Sequence, residues 1–139
     1  MKDTLTNSQL KALDEWLFNW QHIDKKIAIR KLELQTDTNA EVDENIGGGK
    51  ANHISKVTET VIARWDCDQT LKGLENFKAA VLETLEVLDS ELTAIFYLRW
   101  GTGSINTWEE IGAKHHLSRK SIYRKRERIL EIFSQKIGM

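Results

Sequence analysis

The spacing of apolar residues predicts an amphipathic helix near the N-terminus, within residues 1–35. From Ser8 to Leu34, leucine, isoleucine and tryptophan recur three, four or seven positions apart, which places them on one face of a helix. Asn7 or Ser8 is expected to cap the first turn, because a short polar side chain accepts a hydrogen bond from a free backbone N–H. Asp24 and Lys31 interrupt the apolar stripe, so packing against another helix is expected instead of a long coiled coil.

The helical spacing of apolar residues stops after residue 35 and resumes after residue 55. Residues 36–55 carry three consecutive glycines and predict a glycine-rich loop or linker. Residues 56–88 form a central helical region in which apolar residues again recur at spacings of three and four. Asp66 or Asp68 can cap a new helix inside this region, so it contains either one long helix or two. The chain has no proline, which would interrupt such helices.

Residues 89–139 predict three shorter helices and complete an all-α fold. The expected N-cap residues of these helices are Asp89 or Ser90, Thr107, and Ser118. Thr107 and Glu110 have the spacing of a capping box. Only three or four residues separate the last two helices, and the final helix is expected to end at about Gln135.

Two helices joined by so short a turn, the second basic at its start, are typical of a helix-turn-helix domain. Gly112 is small at the position where the two helices must cross closely. The residues expected to form the buried seam are Ile111, Leu117, Ile122, Ile129 and Phe133. The residues of the last helix then left outside the core are Lys120, Tyr123, Arg124 and Arg128. Arg119 and Lys120 lie in its first turn, the part that reaches base edges in a major groove.

The distribution of charge changes the interpretation of the net charge. The chain has 20 Lys and Arg against 21 Asp and Glu, and a net charge of −1 alone argues against a nucleic-acid binder. Residues 101–139, however, carry eight basic and four acidic residues, which leaves −5 on residues 1–100. A basic run is often only a solvated helix face, but here it follows a capped helix and a tight turn. We therefore expect double-stranded DNA as the partner.

No enzyme chemistry is expected. Gly47–Gly49 before Lys50 suggests a phosphate-binding loop, but position 44 is glutamate and position 51 is alanine where that motif needs glycine and Ser or Thr. Asp66 and Asp68 lack the third acid of a metal-dependent nuclease, and Cys67 lies beside these two acids without a basic neighbour. The histidines and the cysteine lack the spacing of a zinc site. We expect no cofactor, no metal and no small-molecule substrate.

The lengths of the apolar runs and the positions of the tryptophans add expectations about location and packing. The apolar runs are too short to span a bilayer and the N-terminal residues lack a leader pattern, so a cytoplasmic location without membrane contact is expected. The tryptophans lie on or beside apolar helical stripes, so packing in the core or between helices is expected. They are Trp16, Trp20, Trp65, Trp100 and Trp108.

The stretch from Leu88 to Gly138 resembles the C-terminal part of region 4 of sigma factors. Nearly the whole chain resembles the small phage late-gene transcription regulators of the ArpU/RinA type. The shared plan is an N-terminal helix, a DENIGGG-like loop, a central helical stretch and a sigma-region-4-like helix-turn-helix. The matching segments here are Asp43–Gly49, Trp108–Gly112 and Leu117–Arg119.

This resemblance implies a sequence-specific DNA-binding protein that activates phage late genes. Because a single helix-turn-helix gives limited specificity, a second copy of the chain is an expected partner, and the acidic N-terminal hundred residues are expected to contact it, themselves or host RNA polymerase. Base contacts are then expected from Arg119, Lys120, Tyr123 and Arg124. Contacts to the DNA backbone are expected from Thr107, Lys114, Ser118, Arg126 and Arg128. Two positions depart from the helix-turn-helix pattern: His116 stands where glycine is common in the turn, and Lys125 stands at a position that is usually apolar.

Two other functions are compatible with the same pattern. A small-terminase-like DNA-packaging protein also joins a helix-turn-helix to oligomerising helices, and it is the alternative to a regulator. A purely structural helical protein is the third class. Such a protein would not bind DNA, or its affinity for DNA would not change with salt. Several phosphate contacts, in contrast, make the affinity fall steeply as salt increases.

Overall fold

A computed structural model describes the chain over residues 4–43 and 50–139. These residues form seven α-helices and no strand, which confirms the all-α prediction. The helices are α1 (Asn7–Leu17), α2 (Ile23–Asp43), α3 (Lys50–Cys67), α4 (Gln69–Val87), α5 (Ser90–Trp100), α6 (Trp108–Lys114) and α7 (Arg119–Ile137). None of the helices in this described part is long and apolar enough to cross a membrane.

The chain divides into two compact units. The first contains Met1–His22 and Phe77–Met139, and the second contains Ile23–Asn76. The N-terminal helix α1 therefore belongs to the same unit as the last three helices. This division differs from the sequence-based division into residues 1–35, 36–55, 56–88 and 89–139, because α1 and α5–α7 share one core.

The core of the first unit is built from side chains of α1 and α4–α7. Its fully buried large residues include Leu13, Leu17, Val81, Phe96, Trp100, Ile111, Ile122, Ile129 and Phe133. The seam predicted from the sequence is thus confirmed at Ile111, Ile122, Ile129 and Phe133, while Leu117 is half-buried. Burial of this apolar surface, at about 25 cal/mol per Å², is the main favourable term for such a unit.

The tryptophans pack in the core to different extents. Trp100 and Trp108 are buried, and their ring centroids are 5.4 Å apart in an edge-to-face arrangement. Trp16 is 38% exposed, with its ring centroid 5.3 Å from that of Phe77 and 5.7 Å from that of Phe133. The expectation of core packing is therefore confirmed for Trp100 and Trp108 and holds only in part for Trp16.

The second unit contains the pair α2 and α3 and the start of α4. Arg30 of α2 donates two hydrogen bonds to Asp68, from Nε at 2.8 Å and from Nη2 at 2.6 Å. Asp68 also accepts a hydrogen bond from the backbone N–H of Leu71 at 2.8 Å, so it caps α4. The central region therefore contains two helices, and Asp68, one of the two alternatives, lies at their junction.

Three boundaries differ from the sequence-based prediction. A single helix over residues 8–34 is wrong, because a 3-10 turn at Phe18–His22 separates α1 from α2. The loop is shorter than residues 36–55, since α2 continues to Asp43 and α3 begins at Lys50. Loss of apolar periodicity removes the signal for a buried face but does not break a helix. Gly47–Gly49 lie outside the described residues.

The N-cap of α1 is also displaced from the expected position. Thr6, not Asn7 or Ser8, accepts a hydrogen bond from the backbone N–H of Gln9 at 3.2 Å. The backbone N–H of Thr6 in turn donates to the Gln9 side chain at 2.9 Å. This reciprocal pair is a capping box, which satisfies two of the free donors at the helix start.

Candidate nucleic-acid interface

The two helices α6 and α7 begin at the residues that the sequence predicts. Thr107 Oγ1 accepts a hydrogen bond from the backbone N–H of Glu110 at 3.2 Å, and Ser118 Oγ accepts one from that of Ser121 at 3.2 Å. Only the four residues 115–118 separate the helices. Their relative position is thus fixed by a short connection with a capped helix start on each side.

The turn between them ends α6 with the chain in a left-handed conformation at His116, whose φ is 57°. The backbone N–H of His116 donates to the carbonyl of Ala113 at 3.2 Å, and that of Leu117 donates to the carbonyl of Gly112 at 2.8 Å. This pair of bonds is the Schellman motif. The motif usually has glycine at the left-handed position. Here His116 adopts that conformation and both bonds form, so the turn is intact despite this departure from the helix-turn-helix pattern.

Gly112 lies at the contact between α6 and α7. A Cβ atom at this position would lie 3.2 Å from Ile122 Cγ2 and 3.3 Å from the carbonyl oxygen of Leu117. These distances are shorter than ordinary van der Waals contacts. The prediction that the glycine permits a close helix crossing is therefore confirmed.

One face of α7 carries basic side chains into solvent. Lys120, Arg124 and Arg128 are exposed and follow each other at intervals of four residues. Residues at this spacing lie above one another on a helix. In the part of the chain that the structure describes, no hydrogen bond or ion pair engages these three side chains. They form a row of free positive charge, which we call the basic row.

A cluster around an acidic residue lies at the first turn of α7. Tyr123 Oη donates a hydrogen bond to Glu109 Oε1 at 2.9 Å, and Arg119 Nε lies 3.9 Å from the same oxygen. Burial and this hydrogen bond raise the pKa of the Tyr123 phenol. The backbone N–H of Glu109 itself and the Tyr123 hydroxyl lower the pKa of the Glu109 carboxyl. Sequence reasoning missed Glu109, because it assigned that residue only to the start of α6.

A buried carboxylate of α1 ties the last three helices together. Asp14 is only 4% exposed, and its Oδ2 accepts hydrogen bonds from Trp108 Nε1 at 2.8 Å and from Arg126 Nε at 2.9 Å. Its Oδ1 accepts one from Arg99 Nε at 3.1 Å, and its carbonyl oxygen accepts one from Trp100 Nε1 at 2.9 Å. Four long side chains of α5–α7 thus meet at one residue of α1.

Arg126 is consequently placed differently from the sequence-based expectation. It was expected at a DNA phosphate, but its side chain is only 16% exposed and its Nε donates to Asp14. If this guanidinium moved away to a phosphate, the buried carboxylate would lose one of its two arginine partners. The prediction of a phosphate contact is therefore wrong for Arg126, which supports the unit from inside through its bond to Asp14.

The remaining predicted residues lie around the exposed side of α6 and α7. Thr107, Lys114 and Ser118 are exposed, and Lys114 Nζ donates a hydrogen bond to Asn106 Oδ1 at 3.2 Å. Lys125 forms an ion pair with Glu91 of α5 at 2.8 Å, which raises the pKa of its amine. This ion pair explains how a lysine fits at a position that is usually apolar.

The described residues contain no group of histidine, cysteine, aspartate or glutamate side chains that could hold a metal ion. Cys67 is exposed and forms no disulfide. The interacting side chains at the first turn of α7 include the Arg119 guanidinium, the Tyr123 phenol and the Glu109 carboxylate.

A family profile with the description "Protein of unknown function (DUF722)" matches residues 10–135, which cover both compact units. No curated protein and no solved structure matches the chain.

Proposed function

We propose that this chain, which belongs to the DUF722 family of proteins of unknown function, is a sequence-specific DNA-binding transcriptional regulator. The observation that carries the proposal is the basic row of Lys120, Arg124 and Arg128 on the exposed face of α7, directly after a capped helix and a tight turn. A helix of this kind enters a major groove with its N-terminal residues against base edges.

The positions along α7 suggest how the contacts are divided. Arg119 has a side chain that is 79% exposed, and with Lys120 it lies in the first turn, where base edges come within reach. An arginine there can donate two hydrogen bonds to guanine O6 and N7. Arg124 lies one turn further along the same face as Lys120, and Tyr123 borders it. These four residues are the proposed base contacts.

Phosphate contacts are proposed for residues at the edge of this face. Arg128 is exposed at the far end of the basic row, and Lys114 is exposed at the end of α6. Thr107 and Ser118 are exposed at the starts of α6 and α7, and the N-terminus of α7, which has no acidic residue in its first turn, favours anions. Each phosphate that a lysine or arginine neutralises releases counterions, so the affinity for DNA should fall steeply with salt.

The biological setting follows from the resemblance to phage late-gene regulators of the ArpU/RinA type. We propose that the protein activates transcription from late promoters in the cytoplasm of the host cell. Host RNA polymerase is then a further partner. A single helix-turn-helix reads few base pairs, so two copies on adjacent half-sites are proposed for full specificity.

The experiment that tests this function is a selection of bound DNA from random fragments, followed by affinity measurements on the selected and on random sequences. The proposal requires one enriched sequence and an affinity ratio well above one, within the range of about 10³ to 10⁷ known for specific binders. A reporter linked to a promoter that contains the enriched sequence should respond to the protein.

Three results would overturn the proposal. Binding without enrichment, or no binding at low salt, excludes sequence-specific recognition. Enrichment combined with a silent reporter and with capture of a large terminase would instead support the DNA-packaging alternative.

A further inference from the structure

One acidic side chain lies among the cations of the candidate interface. The Glu109 carboxylate is 52% exposed and comes from α6, whereas its two partners, Tyr123 and Arg119, come from α7. It accepts the phenol hydrogen bond at 2.9 Å and lies 3.9 Å from the arginine Nε. A carboxylate in this place opposes the binding of phosphate, because like charges repel at short range.

The ring of Tyr123, one of the two partners of Glu109, lies between two arginines. The guanidinium carbons of Arg119 and Arg126 each lie 5.8 Å from the centroid of the Tyr123 ring, within the range of cation–π contacts. Arg126 is held by the buried Asp14, so this side of the cluster is anchored in the core. The hydroxyl of Tyr123 donates its hydrogen bond to Glu109, so the tip of the tyrosine side chain is held by α6.

We propose that Glu109 is a specificity-determining positioning residue of the DNA-binding surface. Its carboxylate orients Tyr123 and Arg119 for contacts with base edges, and its negative charge weakens binding wherever only phosphates are available. This inference rests on the proposed DNA-binding function, and it adds an acidic selector beside the cations of that surface.

The geometry gives the selection a physical basis. On random DNA, Arg119 gains only a phosphate, and its contact with Glu109 competes with that gain. On the selected sequence, Arg119 gains directed hydrogen bonds with a base, which a phosphate does not supply. The carboxylate therefore lowers affinity for random DNA more than affinity for the selected sequence.

The decisive variant is Glu109→Gln, which keeps the size and the acceptor oxygen but removes the charge. We expect its affinity for random DNA to rise about three- to tenfold, with a smaller change for the selected sequence. The ratio of the two affinities then falls by a similar factor. An unchanged ratio would overturn the inference.

Glu110→Gln is the matched control. It removes the same charge from the adjacent residue, and glutamine is as good as glutamate at this position of a capping box. We expect the affinity ratio of Glu110→Gln to stay close to that of the unsubstituted protein. An equal fall in both variants would show that only the net charge matters and would overturn the positioning role of Glu109.

A second variant keeps the inference testable if Glu109→Gln changes the fold. Tyr123→Phe removes only the hydroxyl that donates to Glu109, and we expect it to lower the affinity ratio as well. In a Tyr97→Phe background Tyr123 is the remaining tyrosine, so its phenol can be titrated alone by ultraviolet absorbance. Glu109→Gln should lower that pKa, because the charge that helps to raise it is lost.

These outcomes separate the two proposals. If the unsubstituted protein fails to select any DNA sequence, the proposed function fails and the role of Glu109 fails with it. If it selects a sequence but Glu109→Gln leaves the affinity ratio unchanged, only the role of Glu109 is overturned.

Discussion

The Asp14 carboxylate of α1 accepts a hydrogen bond from Arg126 Nε of α7 at 2.9 Å, although 112 positions separate the two residues in the sequence. Both side chains are shielded from solvent, with 5% of the aspartate and 16% of the arginine exposed. A carboxylate in such a place is stable only while cationic and N–H donors surround it. The orientation of α7 therefore depends on a helix near the other end of the chain.

Replacing Asp14 with alanine should unfold or loosen the unit that contains α7. Arg99 and Arg126 would keep partly buried charges without their acceptor, and breaking a buried pair in this way costs about 3 to 5 kcal/mol. Chemical denaturation should show this loss in the free energy of unfolding. Glu15→Ala, a substitution of the exposed neighbour on α1, should change it by less than about 0.5 kcal/mol. Equal effects of the two variants would contradict the role given to Asp14.

Arg126→Ala and Arg128→Ala should separate support of the fold from contact with DNA. Arg126→Ala removes a partner of Asp14, so it should lower stability as well as DNA binding. Arg128→Ala should leave the denaturation midpoint unchanged, weaken binding to all sequences alike and reduce the salt slope by about one. Lys136→Ala removes an exposed charge near the end of α7 and serves as the control. An unchanged salt slope for Arg128→Ala would remove that residue from the interface.

Arg119→Ala should relax the choice of sequence without changing the fold. Its side chain is exposed, and its long ion pair of 3.9 Å with Glu109 and its cation–π contact of 5.8 Å with Tyr123 lie at the surface, so circular dichroism should be unchanged. Loss of a bidentate contact with guanine costs about 1 to 3 kcal/mol on the selected DNA and little on random DNA. Affinity measured on both DNAs checks this expectation. Equal losses on the two would show that Arg119 contacts phosphate instead of a base.

Local features of the fold were predictable from the sequence because each depends on neighbouring residues. Thr107 and Ser118 cap the helices expected of them, and Gly112 allows the close helix crossing. The exposure of the basic row follows from the helical period once Ile122 and Ile129 are placed in the core. These elements of the candidate interface lie within thirty residues of one another.

Contacts between distant segments could not be predicted in the same way. Asp14 looks like an ordinary charge in an amphipathic helix, and its partner Arg126 looks like one more base in a basic run. Only the folded chain brings Asp14 to Arg99, Trp108 and Arg126, which lie 85 to 112 positions further along. A carboxylate placed among leucines of the buried stripe was the one available signal, since aspartate is rarely buried unless it is paired.

His116→Gly should stabilise the protein. A residue with a side chain at φ 57° costs about 1 kcal/mol relative to glycine, and no Schellman bond needs the imidazole. Relief of this strain should therefore raise the free energy of unfolding by about 1 kcal/mol. The greater conformational entropy of glycine in the unfolded chain offsets part of that gain. His116→Ala keeps the strained backbone and should give no such gain. A loss of stability in His116→Gly would indicate that the imidazole makes a stabilising interaction.

Acid should destabilise the second unit through the ion pair between Arg30 and Asp68. The Arg30 guanidinium, with the backbone N–H of Leu71, lowers the pKa of Asp68 from 3.8 to about 2. Because the folded pKa lies below the unfolded one, the stabilisation is complete above about pH 4 and is lost as the pH falls towards 2. Trp65 reports on this unit, since its indole N–H donates to the carbonyl of Lys31 at 3.2 Å.

The indole resonance of Trp65, assigned with Trp65→Phe, should therefore lose its folded chemical shift between about pH 4 and pH 2. Asp68→Asn removes the group that titrates, so this unit should be less stable at neutral pH and its stability should depend less on pH in that window. Asp66→Asn changes an exposed aspartate two residues away and should leave the acid transition in place. If Asp68→Asn and the unsubstituted protein lose the resonance over the same pH range and to the same extent, the ion pair does not control the stability of α2 and α3.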